Sequence, residues 1–155
     1  IETLLSVCAS HLQPIVVTVL HTGMRRGEIL KLVWSQVDLE HGFILLSGKE
    51  NKKANKAGTK SRKKREIPID NTLRALLRSI PRHFTGEGEN RQIVPYVFCD
   101  SKTLKPYGDI KNSFHTSLNN AKIEDFHFHD LRHSFASHFI MNGGHIKTLR
   151  EIFRP

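Results

Sequence analysis

The 155 residues fit one domain, and a hydrophobic share of 38% gives it a core of its own, which argues against wholesale disorder. The formal net charge is +9, so an acidic partner is implied; the longest apolar run, Ile15 to Leu20, is far too short to span a membrane. Two cysteines, Cys8 and Cys99, stand far apart with no CxxC spacing, which excludes a disulfide scaffold and reads as reduced thiols in a reducing compartment.

Residues 3 to 12 read as a short helix. Pro14, tolerated in a first helical turn, opens a second through Ile15-Val16-Val17-Thr18-Val19-Leu20. That run is apolar all round, which predicts a buried central helix ended by Thr22-Gly23. A further helix is expected from about Arg25 to Leu32 with Ile29, Leu30 and Leu32 inward, and Trp34 is expected as a core anchor. Gly42-Phe43-Ile44-Leu45-Leu46 and Arg65-Glu66-Ile67-Pro68-Ile69 then read as an antiparallel strand pair with a long charged tip. Asp70-Asn71-Thr72 caps a helix through Leu73, Leu76, Leu77 and Ile80, stopped by Pro81. Residues 82 to 95 read as loop, with Val97-Phe98 as a third strand.

Asp109 caps a helix carrying Ile110, Phe114, Leu118 and Ala121, and a helix within residues 125 to 142 closes at Gly143-Gly144 before a last one near His145. No internal repeat is visible. The predicted class is mainly α with a small antiparallel β-sheet, in one domain over 1–155.

The charge is concentrated. Lys49, Lys52, Lys53, Lys56, Lys60, Arg62, Lys63, Lys64 and Arg65 face one acid, Glu50, so this stretch carries +8 of the +9. Such a run fits a polyanion, whose condensed counterions it would release, although a charge run alone is more often a solvated loop.

Two motif blocks add chemistry. At about 100° per residue, His129 and Arg132 lie about 60° apart around their helix and share a face, while Leu131, Phe135 and Phe139 form the stripe that seats it. By itself this helix reads more simply as holding a half-buried histidine and a surface arginine. The earlier block, Thr22-Gly23-Met24-Arg25-Arg26-Gly27-Glu28, shifts that balance. Glu28 stands one helical turn from Arg25 and is placed to hold its guanidinium against two phosphate oxygens. Arg26 is the rival for this role, and composition does not separate them.

In order, Thr22-Gly23-Met24-Arg25-Arg26-Gly27-Glu28-Ile29-Leu30, a basic segment ending Arg65-Glu66-Ile67-Pro68-Ile69, and His129-Asp130-Leu131-Arg132-His133-Ser134-Phe135-Ala136-Ser137 resemble the catalytic domain of the tyrosine recombinases, phage-type integrases most of all. The resemblance spans nearly the whole chain and implies the family's DNA breaking-rejoining fold. It implies that Arg25 and Arg132 clamp the scissile phosphate, that Glu28 supports Arg25, and that His129 assists proton transfer. The lysine that protonates the leaving 5′ oxygen falls on Lys60, after Thr59, with Lys56, Lys63 and Lys64 as rivals. The remaining basic residues of the loop, Lys49, Lys52, Lys53, Arg62 and Arg65 among them, are expected to touch DNA. The implied partner is double-stranded DNA in the bacterial cytoplasm, nucleoid-associated. Neither metal nor cofactor is implied, because guanidiniums stabilise the charge that builds on phosphorus oxygens and a phosphotyrosine conserves the bond energy.

Two departures stand out. Phe153, Arg154 and Pro155 occupy the places of the family's Leu-Gly-His, so proline replaces a proton-handling residue. No tyrosine follows Arg132, and Tyr96 and Tyr107 match nothing in the motif. The expectation is therefore a catalytic domain without its tyrosine segment or its N-terminal DNA-gripping domain, opening on Ile1 as an excised or processed piece would. It would bind DNA as a monomer and not cleave alone, the whole parent acting as a tetramer. The alternatives are a non-catalytic DNA-binding remnant and, less favoured, a zinc hydrolase using His129 and His133 at i, i+4. The latter has Asp130 where a zinc protease helix carries glutamate. His127 and His145 read as ordinary, and His138, on the apolar stripe, as a packed core histidine.

Overall fold

A computed structural model describes residues 1–46 and 64–153. Helix α1 (Glu2–Val7) is shorter than the sequence suggested, because Cys8 turns extended at ψ 138°. Helix α2 (Gln13–Thr22) takes Pro14 in its first turn and buries Ile15, Val16, Thr18, Val19 and Thr22. The buried threonines donate back to the helix, Thr18 Oγ1 to the Pro14 carbonyl at 2.7 Å and Thr22 Oγ1 to Thr18 at 2.5 Å, so no hydroxyl is stranded in the core. Gly23 ends α2 in the left-handed region at φ 62°.

The next helix, α3 (Arg26–Ile29), is a single turn and not the longer one expected. Lys31 and Leu32 donate to carbonyls only three residues back, which tightens the turn. Val33 then pairs as an isolated bridge with Tyr96, Trp34 N–H donating to Pro95 and Val97 N–H to Leu32. Tertiary pairing thus overrides helical propensity. It also corrects the expectation that Val97-Phe98 would be a third strand of the sheet.

The third strand is β1 (Val37–Asp38), in the order β1-β2-β3 with β2 (Phe43–Leu46) and β3 (Arg65–Pro68), all antiparallel. Ile44 faces Ile67 and Leu46 faces Arg65 across the β2–β3 pair. Side chains alternate across a strand, so Arg65 and Ile67 are buried while Glu66 and Pro68 are exposed. Residues 82–95, read as loop, hold a small hairpin of β4 (Phe84–Thr85) and β5 (Gln92–Ile93), stiffened by Arg91 over the Phe84 ring at 4.0 Å.

Helix α4 (Asn71–Ser79) starts where the sequence placed it: Asp70 Oδ1 accepts from the Leu73 amide at 2.8 Å. Its other oxygen accepts from His21 Nδ1 at 2.5 Å, tying α4 to the end of α2. Burial would raise the Asp70 carboxyl, but the Leu73 amide and His21 outweigh it and hold it below its usual value. Stability from this cap is therefore present above the unfolded pKa and lost as pH falls through the lower folded value. Asp70→Ala is expected to cost about 1 kcal/mol in urea unfolding at neutral pH, with the gap to the unsubstituted protein closing in acid. A constant gap across the titration would refute that account.

Helix α5 (Lys111–Ala121) buries Phe114, Ser117, Leu118 and Ala121 against α1. Helix α6 (Asp130–Met141) packs along α2, and α7 (Ile146–Phe153) rests on α6 and β3. His138 is exposed, which corrects its reading as a core histidine. Its azimuth is close to that of buried Leu131, but it lies two turns further along, where Ser137, Ile140 and Met141 are exposed too and α6 overhangs its neighbours. One continuous core runs from Leu4 to Ile152 through every helix and through Ile44 and Ile67 of the sheet. The class is mainly α with small antiparallel sheets. No helix among the described residues is long and apolar enough to cross a membrane.

Candidate functional site

The Gly23 turn sets the next residues beside the start of α6. Arg25 is the extended residue capping α3, and Glu28 reaches back to it: its Oε2 accepts from the Arg25 amide at 2.9 Å and its Oε1 from Arg25 Nη1 at 3.2 Å. The same Oε2 accepts from Arg65 Nη2 at 2.8 Å. Burial would raise the Glu28 carboxyl; the Arg25 amide and the Arg65 guanidinium more than offset it, so the group stays ionised.

On α6, Asp130 Oδ2 accepts from the His127 amide at 2.7 Å, fixing the helix start, and Arg132 follows within the first turn. Arg132 is 5% exposed, not the surface arginine the helix alone suggested. It lies about 60° from Phe135 around the helix, on the edge of the buried stripe. One amino group donates to the Gly23 carbonyl and the other to the Phe153 carbonyl at 3.3 Å, while the Phe153 ring lies 3.8 Å beneath its central carbon. Burial, then the neighbouring Arg25 charge, push its pKa down to about 10, with Glu28 opposing and Arg65 adding to the shift; the group remains charged at neutral pH.

Arg25 Nη2 also donates to the Phe153 carbonyl, at 3.4 Å. Two guanidiniums from distant segments therefore converge on one oxygen atom. A fork aimed at an oxygen of partial negative charge is equally suited to a phosphoryl oxygen. Arg26, the rival of Arg25, instead approaches Asp109 at 3.7 Å on the surface. Beside the pair opens a cavity of about 460 Å³ whose lining includes Arg25, Arg26, Arg132, His129 and His115 among its polar residues and Met24, Phe114 and Phe128 among its apolar ones. His129 is exposed there, its ring edge-to-face with His133 at 4.9 Å. Among the described residues no three His, Cys, Asp or Glu side chains are grouped to hold a metal.

Other site expectations fall elsewhere. Lys60, Lys49, Lys52, Lys53, Lys56, Arg62 and Lys63 lie outside the described residues, and Lys64 is exposed just before β3. Arg65 departs from its reading as a DNA contact: 9% exposed, it turns inward to Glu28. The alternation Arg65, Ile67, Ile69 carried that signal, since all three share the inward face. Phe153, whose carbonyl and ring both engage the arginines, was missed, because a backbone acceptor leaves no mark in the sequence.

The phage integrase family model matches residues 1–153. The integrase of Salmonella phage P22 is 29% identical over 97% of this chain, which spans 38% of that protein. The solved catalytic domain of bacteriophage HP1 integrase is 31% identical, with a TM-score of 0.62 over 97% of this chain and 74% of that one. The Tn1549 transposon integrase in complex with transposon right end DNA has a TM-score of 0.72 over 97% of this chain and 54% of that one, at 18% identity, a likeness of fold alone. The chain thus spans well under half the length of the phage P22 protein it matches. With a catalytic-domain fold and both motif blocks in place, the chain belongs to the phage integrase family of tyrosine recombinases.

Proposed function

We propose that residues 1–155 form the phosphate-activating part of a site-specific DNA strand transferase. The observation that carries this reading is the convergence of Arg25 and Arg132 on a single oxygen, with His129 lining the adjoining cavity. An attacking tyrosine hydroxyl forms a bond to phosphorus as the bond from phosphorus to the 5′ oxygen breaks. The tyrosine proton passes toward His129, and a lysine of the β2–β3 connection, Lys60 foremost, supplies one to the leaving oxygen. Through this step the arginines hold the charge that grows on the non-bridging oxygens, and no metal is required. The tyrosine is not among these residues at a motif position: Tyr96 and Tyr107 both precede His129. A polypeptide of residues 1–155 is therefore a monomeric binder of double-stranded DNA, acting in the bacterial cytoplasm where the nucleoid lies, and leaves strands intact.

Two relatives support the reading: the integrase of phage P22 and a transposon integrase in complex with DNA. The basic run supplies sequence-independent affinity, so duplex binding should weaken by on the order of 10³ between about 50 and 200 mM salt. The test pairs that titration with a nicked suicide substrate. Salt-sensitive binding without a covalent adduct is expected. Adduct formation by residues 1–155 would overturn the assignment of the nucleophile, and salt-independent or absent binding would overturn the function.

A further inference from the structure

We propose that Arg65 is a positioning residue of this site, acting on the scissile phosphate through Glu28 and Arg25 and not by touching DNA. The inference rests on the strand-transfer reading above and extends it to a residue the motif blocks do not contain. Arg65 enters from β3, at the base of the basic hairpin, and its Nη2 holds Glu28 Oε2 at 2.8 Å. That oxygen also fixes the Arg25 amide, and the other carboxylate oxygen fixes the Arg25 guanidinium. One carboxylate is thus divided between two arginines.

The division matters because an undivided carboxylate is a competitor. Without Arg65, the full charge of Glu28 falls on Arg25 and favours a two-point fork that withdraws both amino groups from an incoming phosphate. With Arg65, Glu28 is half neutralised and Arg25 keeps Nη2 turned toward the oxygen it shares with Arg132. The cluster of Arg25, Arg65 and Arg132 around Glu28 then carries +2. That suits a transition state whose equatorial oxygens gain charge beyond that of a resting diester. Stability alone is a poor reason for the pair, since burying an arginine with a carboxylate returns little beyond its desolvation cost.

The test uses a double-mutant cycle on duplex DNA of arbitrary sequence, because phosphate contacts are sequence-independent. Arg65→Met should weaken binding about tenfold, and Arg25→Ala about as much, with the double variant no weaker than Arg25→Ala alone. Adding Glu28→Gln to Arg65→Met removes the competing charge and should restore affinity to within about threefold of the unsubstituted protein. Losses that multiply in the double variant would make Arg65 an independent phosphate contact and overturn the proposal, as would failure of Glu28→Gln to rescue.

The Arg25 side-chain ¹⁵N resonance, followed without DNA, gives a second reading. It should move further from the free-arginine position in Arg65→Met, as the two-point fork with Glu28 forms, and stay in Arg65→Lys, which keeps the charge. Should Arg65→Met not fold, Arg65→Lys must bind within about threefold of the parent, and a loss matching Arg25→Ala would refute the idea. If Arg25→Ala leaves duplex binding intact, the strand-transfer reading fails on its own, while the Arg25 resonance still reports whether Arg65 holds it.

Discussion

Gly23→Ala is expected to lower folding stability by about 3 kcal/mol, although it adds a single methyl group. Gly23 sits at φ 62°, where a Cβ costs about 1 kcal/mol by itself. An added Cβ would also stand 2.5 Å from Cδ1 of the buried Phe135 and 2.7 Å from Cε1 of Phe153, which packs half-buried against the core. Relief requires those rings to move, and Phe153 is the residue whose carbonyl receives both arginines. The Gly23 carbonyl also accepts from Arg132, so the same shift disturbs the clamp from a second side. Gly27 supplies the internal control: a Cβ there meets nothing within 4 Å, so Gly27→Ala should be neutral or stabilising by up to about 1 kcal/mol. Urea titrations of the two variants should diverge; equal midpoints would show that the turn carries no strain.

Arg132→Ala is expected to abolish most strand cleavage, by about 10² to 10³, in a protein that carries these residues together with the family's tyrosine segment. The guanidinium is one of two aimed at the same oxygen, and truncation also leaves the Gly23 carbonyl without that donor. Because its pKa is held at about 10, the group is charged throughout the neutral range, so its removal should cost about as much at every neutral pH. Lys64→Ala, on the exposed side before β3, should change duplex binding only a few-fold, since it removes one screened charge among many. A cleavage rate within threefold of the parent for Arg132→Ala would remove Arg132 from the mechanism.

The sequence was most legible where one period or one cap decides the outcome. Asp70 capping α4 and Gly23 ending α2 are local matters, and two short apolar runs flanking one connection announced the antiparallel β2–β3 pair, though not its register. It was less legible where distant segments compete. The α3 turn is short because Val33 finds Tyr96, and nothing near Val33 announces that partner. Azimuth placed His138 near Leu131 but says nothing of how far α2 extends to cover it. Arg65 was counted with its basic neighbours, yet its strand parity with Ile67 turns it inward. The choice between Arg25 and Arg26 came from the backbone: the capping position turns one toward Glu28 and the other toward Asp109.

The clamp ties together residues that lie far apart along the chain. Gly23 and Arg132 are separated by 109 positions, and Arg25 and Phe153 by 128. Closing contacts of such span costs chain entropy that must be met before the contact repays it. A nascent polypeptide emerging from the ribosome therefore displays Arg25 and Glu28 long before Arg25 and Arg132 can meet at one oxygen, which waits until α7 has emerged and docked.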